Sequence, residues 1–202
     1  MCGFFKNTII IAMAGLLSFS SCKKEDGKKD STTPPIINPE EQITTVVLTG
    51  YNHDDPSNVA YQFSVKWEDV DGAGGNAPAI DTLLLDTGIE YHVHVLLLDK
   101  TKTPFDTISN EVLEESKVHQ FFYKPDVNIA NKITIERLDF DNNVPPLPLG
   151  LEFHMNTQST TPYLLPVKGS INMVLSHYDG IPKTTAPSPE SDIDIAFPVR
   201  LK

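Results

Sequence analysis

The chain has 202 residues, with 27 acidic against 16 basic side chains and a net charge of −11. That balance excludes nucleic-acid binding, which needs a basic footprint against the phosphates, and it excludes flat docking on an anionic lipid surface. The two cysteines are Cys2 and Cys22, so a domain beyond residue 22 has no disulfide to make and must stand on its own apolar core.

In chain order, residues 1–21 read as a secretory leader. Lys6 and the amino terminus make a short positive start, and residues 8–17 are almost wholly apolar. As a helix at about 1.5 Å per residue they would span about 15 Å, half a bilayer's hydrocarbon core. They are a signal h-region rather than a membrane span. Ser20 and Ser21 then precede Cys22, a pattern that resembles a bacterial lipobox, with Phe19 where Leu is usual. Cys22 is therefore the expected lipidation site and its lipid the expected membrane anchor. The alternative is an ordinary signal cleaved after Ser21, which would leave Cys22 as an exposed, oxidisable thiol. Residues 22–42 form the lipidated cysteine and a flexible tether, charged and then Ser/Thr/Pro-rich, with too few apolar side chains to offset the entropy of ordering. Fully extended, the tether would reach about 60 Å. Lys6 is the only charged side chain of the leader, so the released chain carries −12.

Residues 43–202 are expected to form one domain. Residues 43–51 are rich in Thr and Val. Residues 61–68 alternate, with Tyr61, Phe63, Val65 and Trp67 on one face. In residues 90–98, Tyr91, Val93, Val95 and Leu97 are in phase. Further strands are expected at 119–123, 133–139, 150–155, 169–177 and 192–201, with a weaker one at 81–85. Short alternating runs between Gly, Pro, Asn and Asp are the signature of an all-β, antiparallel β-sandwich of immunoglobulin-like type, with about nine strands. One short helix is expected at 110–116, with Ser109 as N-cap. Period two places Trp67 as a central core plug.

Two sets of residues carry candidate chemistry. Asp69 and Asp71 precede Gly72, and Asp139 and Asp141 repeat the Asp-x-Asp spacing after a later strand. Alternating carboxylates ahead of glycines can hold Ca²⁺, and the same residues also serve as turn formers. His92 and His94 lie two apart on one strand, so both imidazoles face away from the apolar stripe. Such a pair fits Zn²⁺ or Cu²⁺, or haem, with a third ligand from His119, His154, Glu115 or Glu152. The alternative is a polar solvent face. His177 continues the Ile171, Met173 and Leu175 phase to the rim of the core. No Gly-x-Ser-x-Gly, cysteine nucleophile beyond residue 22, His-Glu-x-x-His or phosphate loop occurs. The expected activity is therefore non-catalytic binding.

Lys24, Glu25 and Asp26 behind Cys22 resemble the surface-export signal of Bacteroidota lipoproteins. Residues 39–45, 67–78, 114–123 and 192–199, in that order and spacing, resemble a family of small Bacteroidota lipoproteins often found beside TonB-dependent outer-membrane receptors. The resemblance implies an outer-membrane location, lipid-anchored and exposed at the cell surface, and a role as ligand-binding or accessory partner of a TonB-dependent transporter. Some members carry the label of a type 1 periplasmic-binding fold, an α/β architecture that the strand-rich pattern here does not support. His92 and His94 depart from the family pattern. His119 and the loop at 69–75 follow it, which implies that a site shared by the family would use them. The other expectation is a structural or adhesive surface module stiffened by Ca²⁺.

Overall fold

The computed structural model describes residues 41–72, 75–159 and 166–202. The leader, Cys22 and the tether as far as residue 40 lie outside the described residues.

Among the described residues ten strands form two sheets, and one short α-helix lies between strands. They are β1 (Thr45–Asn52), β2 (Phe63–Glu68), β3 (Ala79–Ile80), β4 (Leu83–Leu85), β5 (Glu90–Leu98), α1 (Ile108–Glu114), β6 (His119–Pro125), β7 (Ile133–Arg137), β8 (Glu152–Thr157), β9 (Val167–His177) and β10 (Glu190–Leu201). The six-stranded sheet runs β3-β2-β1-β5-β8-β7 and the four-stranded sheet β4-β10-β9-β6. The fold is an all-β sandwich. Its pairings are antiparallel except that of β4 with β10, which is parallel.

Alternation decides which side chains are shared between the sheets. Tyr91, Val93, Val95 and Leu97 of β5 face inward and are buried, as are Ile193, Ile195, Phe197, Val199 and Leu201 of β10. The largest fully buried side chains are Tyr91, Tyr178, Phe121 and Phe197. Trp67 is not the central plug expected from its phase. It is only partly buried, packed against the edge of the core. The reason is position in the sheet: beyond β2 lies only the two-residue strand β3.

The helix starts two residues earlier than expected and buries Ile108 and Val112, one turn apart on one face. Its N-cap is Thr107, whose side chain makes no capping bond. Ser109 lies inside the helix instead, and its hydroxyl accepts the Leu97 N–H at 2.6 Å, tying α1 to β5.

Near the start of β1 a charged network joins neighbouring segments. Glu68 on β2 pairs with Lys66 at 2.8 Å and with Lys100 after β5, and it accepts from the Thr45 hydroxyl at 3.5 Å. Hydrogen bonds from Lys100 and then Lys66 hold the Glu68 carboxyl down at about 2.

Two outcomes follow from this packing. Phe197→Ala should cost about 3–5 kcal/mol of stability and Trp67→Ala distinctly less, measured by denaturant unfolding. Equal costs would contradict the edge position of Trp67. The folded carboxyl of Glu68 is depressed below its ordinary 4.5, so its contribution is complete above about pH 4.5 and lost as pH falls toward 2. The melting-temperature gap between wild type and Glu68→Gln should shrink over that window, and a pH-independent gap would remove the ion-pair role.

Candidate metal centre

The chain's six histidines are all described, and they fall into two groups. Four are on the outer face of the six-stranded sheet. Adjacent strands there place Tyr51 (β1), His92 (β5), His154 (β8) and Glu136 (β7) side by side in one rung, with Thr49, His94 and Glu152 in the next. Because side chains alternate, all of these point away from the core that holds Tyr91, Val93, Phe153 and Met155. His53, just past β1, is positioned by its backbone N–H donating to the Glu90 carbonyl at 2.8 Å.

The rings converge. His53 lies 4.4 Å from His154 between centroids, His92 4.7 Å from His94, and Tyr51 stacks on His92 at 5.2 Å. His92 Nδ1 faces His154 Nε2 at 3.3 Å. The opposite nitrogens meet carboxylates: His92 Nε2 lies 2.6 Å from Glu152 and His154 Nδ1 3.0 Å from Glu90. A carboxylate behind each imidazole is the arrangement that orients a metal-bound histidine and raises its basicity. His53, His92 and His154 each offer a ligand atom within 4.8 Å of the others, and His92, His94 and Glu152 form an overlapping triple. The His92 and His154 side chains are 13% and 16% exposed, while His53 and His94 are exposed, so the cluster opens to solvent.

Of the candidate third ligands for the His92–His94 pair, the structure brings His154 and Glu152 onto this face. His119 is in the other sheet and Glu115 at the end of α1. His53 gave no sequence signal, because it sits in a polar turn and reaches the group only through the pairing of β1 with β5. His119 instead lies beside His177, with ring centroids 4.6 Å apart, and with Glu41 and Asp192. His177 is buried rather than at the rim, and Glu41, expected in the tether, has a side chain only 5% exposed. In this buried group Asp192 is pushed up to about 6 by burial and then by the Glu41 charge. Burial works against charge on His119, but Glu41 and Asp192 outweigh it and raise the ring above its ordinary value.

The carboxylates of the aspartate loops are engaged in turn and backbone hydrogen bonds, and Asp139 also accepts the Glu152 N–H at 3.3 Å. Asp69 accepts the Gly72 N–H at 2.9 Å, and Asp71 accepts from the Asn76 backbone and side chain. Asp139 takes the N–H groups of Gly150 and Leu151, and Asp141 takes those of Asn143 and Leu147 and pairs with Lys183 at 3.0 Å. The strands that lead into the two loops, β2 and β7, have β1, β5 and β8 between them. That separation is about 19 Å, so the loops do not share a cation.

Comparison of the chain with protein-family models, with curated proteins and with solved structures finds no match. Among the described residues no helix is long and apolar enough to cross a membrane.

Proposed function

We propose that this protein is a lipid-anchored, non-catalytic binding domain of the outer-membrane surface that captures a divalent transition-metal ion, Zn²⁺ or Cu²⁺, and serves as accessory partner of a TonB-dependent transporter. The observation that carries the metal reading is the set of three imidazoles, His53, His92 and His154, within ligand distance of one another on an open sheet face, with Glu90 and Glu152 behind two of them. Imidazole donors favour Zn²⁺ and Cu²⁺ over Ca²⁺ or Mg²⁺. An exposed site suits loading and release of an ion, whereas chemistry at a metal calls for a cavity that excludes water.

Location and partner rest on the sequence. The lipobox-like stretch ending at Cys22 supports the anchor, and the resemblance to receptor-associated lipoproteins supports the transporter. A tether of this length would hold the domain near a transporter mouth at an effective concentration on the order of millimolar. The acidic charge of −11 would concentrate cations around the domain.

Titration of the chelator-treated full chain with Cu²⁺ or Zn²⁺ in a calorimeter tests the site. The His92→Ala/His154→Ala double variant should lose the equivalent bound at the sheet face while keeping the apo melting temperature within a few degrees. Unchanged stoichiometry and affinity in that variant would overturn the reading. Membrane flotation tests the anchor: wild type should float with membranes and Cys22→Ala should not. A Cys22→Ala protein that still floats would rule out lipidation at that residue.

A further inference from the structure

We infer that Glu41, His119, His177 and Asp192 form a second metal site, closed and buried, that takes a Zn²⁺-type divalent ion. It is independent of the open histidine face, shares no residue with it, and stands or falls separately.

The site is built by three neighbouring strands and a lead-in segment. His119 opens β6 and His177 closes β9, and the two are direct register partners. Asp192 sits where the β9–β10 register slips between Ser191 and Ile193. Such a bulge re-aims a side chain that strict alternation would send elsewhere. Glu41 precedes β1 of the opposite sheet. An ion held by all four would therefore pin the start of the domain to the four-stranded sheet.

The group is sealed from water. The side chains of His119 and Asp192 are 0% exposed, and those of His177 and Glu41 5%. Two buried carboxylates need compensation, yet among the described residues neither pairs with a lysine or arginine. Their ionic partners are the two histidines. Asp192 Oδ2 is buried with no hydrogen-bond partner. It lies 3.4 Å from His119 Nε2, which is also 3.3 Å from Glu41. His119 Nδ1 donates to the Glu115 carbonyl at 3.2 Å, which directs Nε2 toward both carboxylates. A backbone carbonyl behind the imidazole is a recurrent orienting partner of a metal-bound histidine.

The spacing fits an ion. Zn–N and Zn–O bonds of about 2.0–2.1 Å set a tetrahedral ligand edge of about 3.3–3.4 Å. His119 Nε2 lies 3.3 Å from Glu41 Oε1 and 3.4 Å from Asp192 Oδ2, and His177 Nδ1 lies 3.1 Å from Asp192 Oδ1 and 4.0 Å from Glu41 Oε2, so each carboxylate turns one oxygen to each imidazole. One ligand atom from each of the four residues can be chosen so that all lie within 4.8 Å of one another. Two imidazoles and two carboxylates complete four-coordination with no open position, the form of a structural rather than a catalytic site.

The test uses the full chain carrying His92→Ala/His154→Ala, which silences the open face. After chelator treatment, Zn²⁺ titration should show one remaining equivalent. The melting temperature should rise by about 5–10 °C at a hundredfold excess over Kd. Adding Asp192→Asn should weaken Zn²⁺ binding by at least about tenfold, with the fold checked by circular dichroism. If Asp192→Asn does not fold, Glu41→Gln at the edge of the domain gives the same readout. Absence of a Zn²⁺ equivalent in the silenced background, or undiminished binding by a folded Asp192→Asn or Glu41→Gln variant, would overturn the inference. Loss of the open-face equivalent alone would leave it intact.

Discussion

The alternation of β5 fixes both faces of the six-stranded sheet at once. Tyr91, Val93, Val95 and Leu97 must enter the core, so His92 and His94 must leave it. A slip of one residue would exchange the two sets and bury His92 and His94, with Leu96 and Leu98, in place of Tyr91, Val93, Val95 and Leu97. The apolar stripe thus specifies the register that also aligns Tyr51 and His154 with His92 on the far side. Core packing and the geometry of the open site are one constraint seen from two faces. Stability of the core therefore protects the spacing of ligands that never touch it.

Local pattern made the strands legible where alternation was strong. β5 spans the residues expected of it, and the inward set of β10 continues without a break from Ile193 to Leu201. Pattern failed where the answer depended on which strands are neighbours. Trp67 has an inward phase, but phase does not reveal that β2 sits one short strand from the sheet edge. The parallel pairing of β4 with β10 is likewise a property of the whole chain, since Leu83–Leu85 is too short to announce its partner. The His92–His94 pair could be read from a single strand. His53 could not, because it is brought there by the β1–β5 pairing from a turn rich in Asn, Asp and Pro.

The buried group was harder to see for a different reason. Its members are 78 residues apart from Glu41 to His119 and 15 apart from His177 to Asp192, and no motif spacing links them. His177 continues the apolar phase of β9, but nothing in the sequence marks the bulge that turns Asp192 toward it. Glu41 belongs by composition to a charged, proline-containing stretch, and only its contacts with the sandwich place it among buried groups.

The way this chain treats its other buried carboxylates sharpens the meaning of that cluster. Asp141 is also buried, and it is satisfied by the Leu147 and Asn143 N–H groups and by Lys183. Asp99 leaves one oxygen without a hydrogen bond, but Lys102 stands 3.8 Å from that same oxygen. Asp192 has neither resource at Oδ2. Its neighbours there are His119 Nε2 at 3.4 Å and the carboxylate of Glu41. Two carboxylates sharing a sealed space are unfavourable until a cation balances them, whether proton or metal. A proton can bridge one acceptor pair at a time. A divalent ion at the centre would satisfy all four side chains together, which is the property that distinguishes this cluster from the other buried carboxylates described in the sandwich.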